Sequence, residues 1–166
     1  MNAIGDVAEI SHRDIGSLEH QTATYTLRRT GRKPVRFVGW QLIEATGADT
    51  AKSVWHELNV YRTIGDKFVV ELTVRRRQAE ELDKTCVSSF PDLAAAAAWL
   101  ENYRPADDVP VPSDLPGQAP LPWAVLQAVQ LRQCINRVVL DYQTLLSEVF
   151  AALDLSDPPD EIVAPG

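Results

Sequence analysis

The sequence lacks the short motifs that mark common enzyme active sites and nucleotide-binding loops. It contains no G-x-x-x-x-G-K-S/T loop, no G-x-G-x-x-G, no G-x-S-x-G, no H-E-x-x-H and no paired C-x-x-C. Histidine is scarce: His12 and His20 stand at loose spacing in an irregular segment, and His56 adjoins Glu57 in a predicted strand. Strand neighbours point to opposite faces, so His56 and Glu57 cannot easily act together. These absences favour a non-enzymatic protein and predict no catalytic residue, metal or cofactor.

Cysteines and long apolar runs are also few. Cys86 and Cys134 lie far apart and have no C-x-x-C partner, so in a chain without an export signal they are expected to be reduced. The longest apolar run, near residues 93–100, is too short to cross a bilayer. Residues 1–14 lack the basic start and apolar core of a secretory signal. We therefore expect a cytoplasmic protein with reduced cysteines and no membrane partner.

The chain has no basic excess, because its net charge is −7. Residues 1–103 carry 13 basic and 14 acidic side chains, whereas residues 104–166 carry 3 basic and 9 acidic ones. A domain that mainly grips phosphates usually carries a basic excess. The acidic C-terminal part therefore argues against nucleic acid as its own partner.

Alternation of apolar and polar residues predicts five short strands, at 22–29, 35–45, 54–64, 68–76 and 85–89. A helix follows at 91–103, where Pro91 and Asp92 precede a run of five alanines. Consecutive strands joined by short turns indicate an antiparallel meander. The predicted class is α+β: an antiparallel meander of four or five strands with one packed helix, then a proline-rich linker and a long amphipathic C-terminal helix.

Composition divides the chain into five segments. They are a loose leader (1–21), an α+β domain (22–103), a proline-rich linker (104–120), an amphipathic interaction helix (121–153) and a flexible acidic tail (154–166). The prolines of the linker disfavour helix and central strand alike, so it is predicted to be an extended spacer.

The third and fourth strands predict a hairpin that turns at residues 65–67. With a three-residue loop, Ile64 faces Phe68, Glu57 faces Arg75, and the apolar side chains share one face. A two-residue loop would exchange the faces of one strand, which favours the longer loop.

The other face of this hairpin mixes aromatic and polar side chains. That mixture is typical of a recognition surface, and equally of a half-buried sheet face. The candidate recognition residues are Trp55, Glu57, Asn59, Tyr61, Glu71 and Arg75.

Basic residues form two clusters, one around the first hairpin turn and one at the end of the fourth strand. The candidate anion-binding residues are Arg28, Arg29, Arg32, Lys33, Arg36, Arg75, Arg76 and Arg77. If the clusters converge, they could bind phosphate groups or an acidic protein surface. Charged strand ends also prevent edge-to-edge aggregation, which is the alternative interpretation.

The final helix carries one apolar stripe, at spacings of three and four residues. Its members are Leu131, Ile135, Val138, Val139, Tyr142, Leu145, Leu146, Val149 and Leu153. Burying such side chains is worth roughly 1.5–3 kcal/mol each, so the stripe should not remain in water. It must pack on its own domain, on a second copy or on another protein.

Two classes of function follow from these patterns. The first is a non-enzymatic interaction or assembly subunit, which binds a protein partner or itself through residues 121–153 and through the hairpin face. The second is a nucleic-acid-associated regulator, or a defence or counter-defence factor, that uses the arginine clusters.

Overall fold

The computed structural model describes residues 22–78, 81–112 and 121–155. The predicted leader (1–21), the second half of the predicted linker (113–120) and residues 156–166 of the predicted tail lie outside these ranges.

Five strands form one sheet whose spatial order is the order of the sequence. They are β1 (Ala23–Arg29), β2 (Arg32–Thr46), β3 (Val54–Thr63), β4 (Phe68–Arg76) and β5 (Lys84–Phe90). Every neighbouring pair is antiparallel. The α+β class and the antiparallel meander predicted from the sequence are confirmed.

The β3–β4 hairpin has the predicted faces, but the predicted pairing was wrong. Arg62, not Ile64, lies opposite Phe68, and Trp55, not Glu57, lies opposite Arg75. The connection spans residues 63–67, and Asp66 adopts a positive φ of 57° within it. A shift of two residues leaves each side chain on its original face, because the side-chain period of a strand is two.

The sheet curls until its two edge strands meet. In the β1–β2 turn, Thr30 donates its N–H to the carbonyl of Thr85 at 3.0 Å, and its hydroxyl accepts the N–H of Thr85 at 2.9 Å. A bulge between Gln41 and Ile43 in β2 adds to the bend. Buried side chains from four strands meet on the concave side: Leu27, Tyr61, Val69 and Val87. The sheet is therefore half a barrel with a small interior of its own.

Two helices cover the convex side. Helix α1 (Leu93–Glu101) begins at Asp92, whose carboxylate accepts the N–H of Ala95 at 2.7 Å. Helix α2 (Leu121–Ala152) lies across the sheet beside it. The main core combines sheet and helix side chains: Leu58, Val60, Val70, Leu72, Ala96, Leu100, Tyr142, Leu145, Leu146 and Val149.

The first part of the predicted linker packs against the body and is not an extended spacer. Pro105–Asp108 form a short 3-10 helix, which tolerates proline at its first position. Val109 then packs with Val54, Val74 and Val138 in a third buried cluster. Proline spacing correctly argued against a long helix here, but it could not reveal that Asp108 has buried partners.

Those partners include His56, which the sequence gave no reason to pair with this segment. His56 Nε2 lies 2.9 Å from Asp108 Oδ2, and the Tyr103 hydroxyl donates to the same oxygen at 2.7 Å. Lys84 Nζ lies 3.8 Å from the second oxygen. Burial, together with Asp108, raises the pKa of Tyr103 above its ordinary value. None of the helices in the described ranges has the length and apolar character needed to cross a membrane.

Candidate interaction site

Helix α2 consists of two parts with different surroundings. Toward its C-terminal end, five residues of the predicted stripe are buried against the sheet and α1: Val138, Tyr142, Leu145, Leu146 and Val149. The other four are half-buried: Leu131, Ile135, Val139 and Leu153. The Tyr142 hydroxyl donates to the carbonyl of Leu100 at 2.8 Å, which ties α2 to the end of α1. The predicted stripe thus packs largely on its own domain.

The first turns of α2 carry a second set of apolar side chains that the body does not cover. The exposed fractions are 78% for Leu121, 54% for Trp123, 56% for Val125, 46% for Leu126 and 47% for Val129. We call these five residues the exposed apolar patch. A helix that is apolar on all sides is normally buried on all sides, so this patch is unusual for a surface.

Part of the patch faces away from the body. Leu121, Val125 and Val129 recur at intervals of four and form a ridge along one side of the helix. Val129 stands nine residues, or two and a half turns, before buried Val138, so the two point in opposite directions. This four-residue spacing can be found in the sequence, but the predicted stripe begins at Leu131 and does not include it.

The patch is also free of charge. No Asp, Glu, Lys or Arg occurs between Leu121 and Leu131, although the chain as a whole carries −7. Beside it, an apolar groove of about 310 Å³ separates α2 from the sheet and includes Val54, Val109, Pro110, Leu131 and Cys134 in its lining. Gln127 and Gln130 of α2 also line this groove, whereas the five patch residues do not.

The six candidate recognition residues of the hairpin do share one face, the concave side of the sheet away from the helices. Their polar atoms are largely bonded to one another. Asn59 Nδ2 donates to Glu71 Oε2 at 2.9 Å, and the Tyr61 hydroxyl donates to the same oxygen at 3.3 Å. Arg75 Nε donates to Glu57 Oε2 at 2.8 Å, and Trp55 Nε1 lies 3.5 Å from the other oxygen of Glu57.

This bonding limits what the concave face can offer a ligand. Burial, together with Glu71, raises the pKa of Tyr61, so its phenol stays protonated and acts as a donor. Hydrogen bonds from Arg75 to Asp83 and Glu57 raise the pKa of that guanidinium. The polar side chains of this face thus form a connected hydrogen-bond network.

The basic cluster at the end of β4 is occupied by internal contacts. Arg76 donates to the backbone oxygen of Asp108 at 3.1 Å and lies 3.7 Å from Glu81. Arg77 donates to the backbone oxygens of Lys52 and Asp49 at 2.8 and 2.7 Å. With Arg75 already paired, these three arginines have structural partners.

The cluster at the β1–β2 turn is different. Arg29 is half-buried, and the other four members are exposed: Arg28, Arg32, Lys33 and Arg36. Among the described residues, no carboxylate forms an ion pair with any of the five. The described ranges also contain no group of His, Cys, Asp and Glu arranged to hold a metal ion.

Comparison with known protein families, with curated proteins and with solved structures finds no match for this chain. The assignment of a function therefore starts from the surfaces described above.

Proposed function

We propose that this protein is a non-enzymatic interaction protein that assembles through the first turns of α2, and that the partner bound there is a second copy of the chain. The supporting observation is the exposed apolar patch, whose five side chains are between 46% and 78% exposed. The proposal retains the cytoplasmic location expected from the sequence.

The energetics favour a covered patch. Large apolar side chains gain roughly 1.5–3 kcal/mol each on full burial. Association costs on the order of 4–15 kcal/mol in lost freedom of motion. An interface between two copies can cover ten side chains that are 46–78% exposed, and since each gains only its still exposed share of that value, the total is comparable with the cost of association.

The charge distribution favours a second copy. Two chains of −7 repel each other wherever acidic surfaces meet, so self-association needs a contact region without acids. The stretch between Leu121 and Leu131 meets that condition. In a two-fold dimer the same patch contacts itself, which requires a self-complementary surface, and an uncharged apolar ridge is one.

The experiment measures the molar mass of the full chain by light scattering and sedimentation across a micromolar concentration series. We expect a dimer for the natural sequence and a monomer for Leu126→Asp combined with Val129→Asp. Leu140→Asp is the matched control, because Leu140 is 62% exposed on the same helix but lies three turns beyond the patch. Circular dichroism verifies that all variants keep the fold.

Three results would overturn the proposal. The natural chain could be a monomer throughout the series, the double variant could remain a dimer, or Leu140→Asp could dissociate it equally well. If the natural chain is a monomer, the partner that covers the patch must be a different protein.

The alternative class, a nucleic-acid-associated protein, has weaker support. Arg75, Arg76 and Arg77 already have internal partners, and the acidic net charge disfavours binding to a polyanion. The basic residues of the β1–β2 turn are the part of that hypothesis that keeps an accessible surface.

A further inference from the structure

A second cleft lies where the β1–β2 turn meets β5 and α1, on the side of the domain that carries the basic residues of that turn. Its volume is about 350 Å³, near the lower end of the range of small-molecule sites, which is about 300–1,000 Å³. The lining includes Arg29, Thr30, Arg32, Thr85, Ser88 and Trp99.

We propose that this cleft binds a small organic phosphate with a planar body, of the size of a nucleoside monophosphate. The inference is independent of the proposed self-association, because none of the lining residues belongs to α2.

The positive charge of the cleft has no carboxylate ion-pair partner within residues 22–78, 81–112 and 121–155. Arg29 and Arg32 lie directly opposite each other at the end of the β1–β2 ladder. Arg29 Nε donates to the carbonyl of Lys33 at 2.7 Å, which holds the guanidinium in place and leaves its two terminal nitrogens for a ligand. Guanidinium groups stay charged and match phosphate oxygens with two parallel hydrogen bonds.

The polar wall of the cleft is held rigid. The two hydrogen bonds between Thr30 and Thr85 clamp the turn onto β5, and the Thr85 hydroxyl lies 3.1 Å from the Thr73 hydroxyl behind it. The hydroxyl of half-buried Ser88 forms no hydrogen bond with any described residue and lines the same cleft. A site held in place before binding loses less entropy when the ligand arrives.

The opposite wall is aromatic. The Trp99 ring is held by Phe90 and Tyr103, with centroid separations of 5.7 and 6.3 Å. An indole beside two guanidinium groups suits a ligand that joins a planar ring to a phosphate, because the ring supplies stacking surface and the arginines bind the anion. The limited volume and the chain's net charge of −7 favour a single small anion over a nucleic-acid strand.

The test is isothermal titration calorimetry of the full chain with adenosine monophosphate, adenosine, inorganic phosphate and a single-stranded oligonucleotide. We expect adenosine monophosphate to bind, and adenosine and phosphate alone to bind more weakly, since each uses one wall. Replacing both Arg29 and Arg32 by Gln should weaken binding about tenfold or more, as expected for lost hydrogen bonds to a charged group.

The matched control is Arg28→Gln with Arg36→Gln, which removes the same charge from the same hairpin but from residues outside the lining. It should change the affinity by less than about threefold, since exposed charges contribute little at physiological salt. If the Arg29 and Arg32 double variant does not fold, Arg32→Gln alone replaces it, because Arg32 is exposed.

The proposal fails if adenosine monophosphate does not bind at millimolar concentration, or if both pairs of substitutions weaken binding equally. Preferential binding of the oligonucleotide, reduced equally by both pairs, would show a diffuse polyanion surface and would also overturn it. Equal affinity for phosphate and adenosine monophosphate would remove the role of Trp99 and reduce the site to one for inorganic anions.

Discussion

His56 in β3 and Asp108 in the 3-10 helix lie 52 residues apart in the sequence, yet their side chains meet at 2.9 Å with each about 2% exposed. Tyr103 donates to the same carboxylate oxygen, and the backbone carbonyl of Asp108 accepts from Arg76. The segment between α1 and α2 is thereby fastened to the convex face of the sheet.

Asp108→Ala is expected to lower the free energy of unfolding by about 3–5 kcal/mol, because it leaves a buried partner unpaired. The measurement is urea denaturation followed by circular dichroism. Asp107→Ala is the control, since Asp107 is 64% exposed and pairs with Arg104 at the surface. Similar small effects for both substitutions would contradict the anchoring role of Asp108.

Three of the four tyrosines should resist alkaline titration until the chain unfolds. Burial raises the pKa of Tyr61, Tyr103 and Tyr142, with carboxylates nearby adding to the shift. The unfolded pKa of a tyrosine is about 10, and the folded pKa of these three is higher. Their contribution to the free energy of unfolding is therefore fully present below pH 10 and is lost as the pH rises from there toward the folded pKa. The absorbance of tyrosinate should therefore rise in one step with the loss of circular dichroism.

Tyr142→Phe provides the control for this titration. The unfolding-linked step should then fall from three tyrosinates to two, measured by ultraviolet absorbance against pH. Gradual ionisation of all the tyrosines in a chain that keeps its circular dichroism would show that the three phenols are accessible, contrary to the structure.

Two valines of α2 should differ sharply in their tolerance of a charge. Val149 is fully buried and Val129 is 47% exposed. Val149→Asp is expected to unfold the domain or to cost more than about 4 kcal/mol, whereas Val129→Asp in dilute protein should stay within about 0.5 kcal/mol. Thermal and urea denaturation of the two variants compare them directly. Equal losses would mean that the N-terminal turns of α2 also belong to the core.

Gly39 in β2 should be intolerant of any side chain. A Cβ atom there would overlap the backbone carbonyl oxygen of Arg62 in the neighbouring strand, which cannot move without breaking the ladder. Gly39→Ala is expected to cost at least about 2 kcal/mol, as overpacking typically does. Gly65→Ala is the control, because the nearest atom to its Cβ is the Thr63 hydroxyl at 3.8 Å. Denaturation midpoints that match would refute the steric argument.

Local patterns were sufficient to predict the five strands and the two α-helices of this fold, but not the 3-10 helix at Pro105–Asp108. Alternation placed Leu58 and Val60 on one face of β3 and Asn59 and Tyr61 on the other, and that result survived a register error of two residues because the side-chain period is two. Asp92 and the alanine run marked α1 for equally local reasons, since alanine has a high helix propensity and Asp92 complements the positive end of the helix dipole. The apolar stripe of α2 showed that one side is buried.

Contacts distant in sequence required the tertiary structure. The pairing of Asp108 with His56 depends on where the chain returns after α1. The proline-rich composition of this segment predicts a spacer and gives no information about that path. Periodicity also cannot say which body covers an apolar stripe, because a helix buries the same face in its own domain or in a partner. Only the folded chain shows that Val149 lies inside while Val129 faces outward. The sequence by itself determined the strands, the α-helices and which of their faces are apolar, since these depend on neighbours a few residues apart. The packing of distant segments decided which apolar and basic groups remain available for binding.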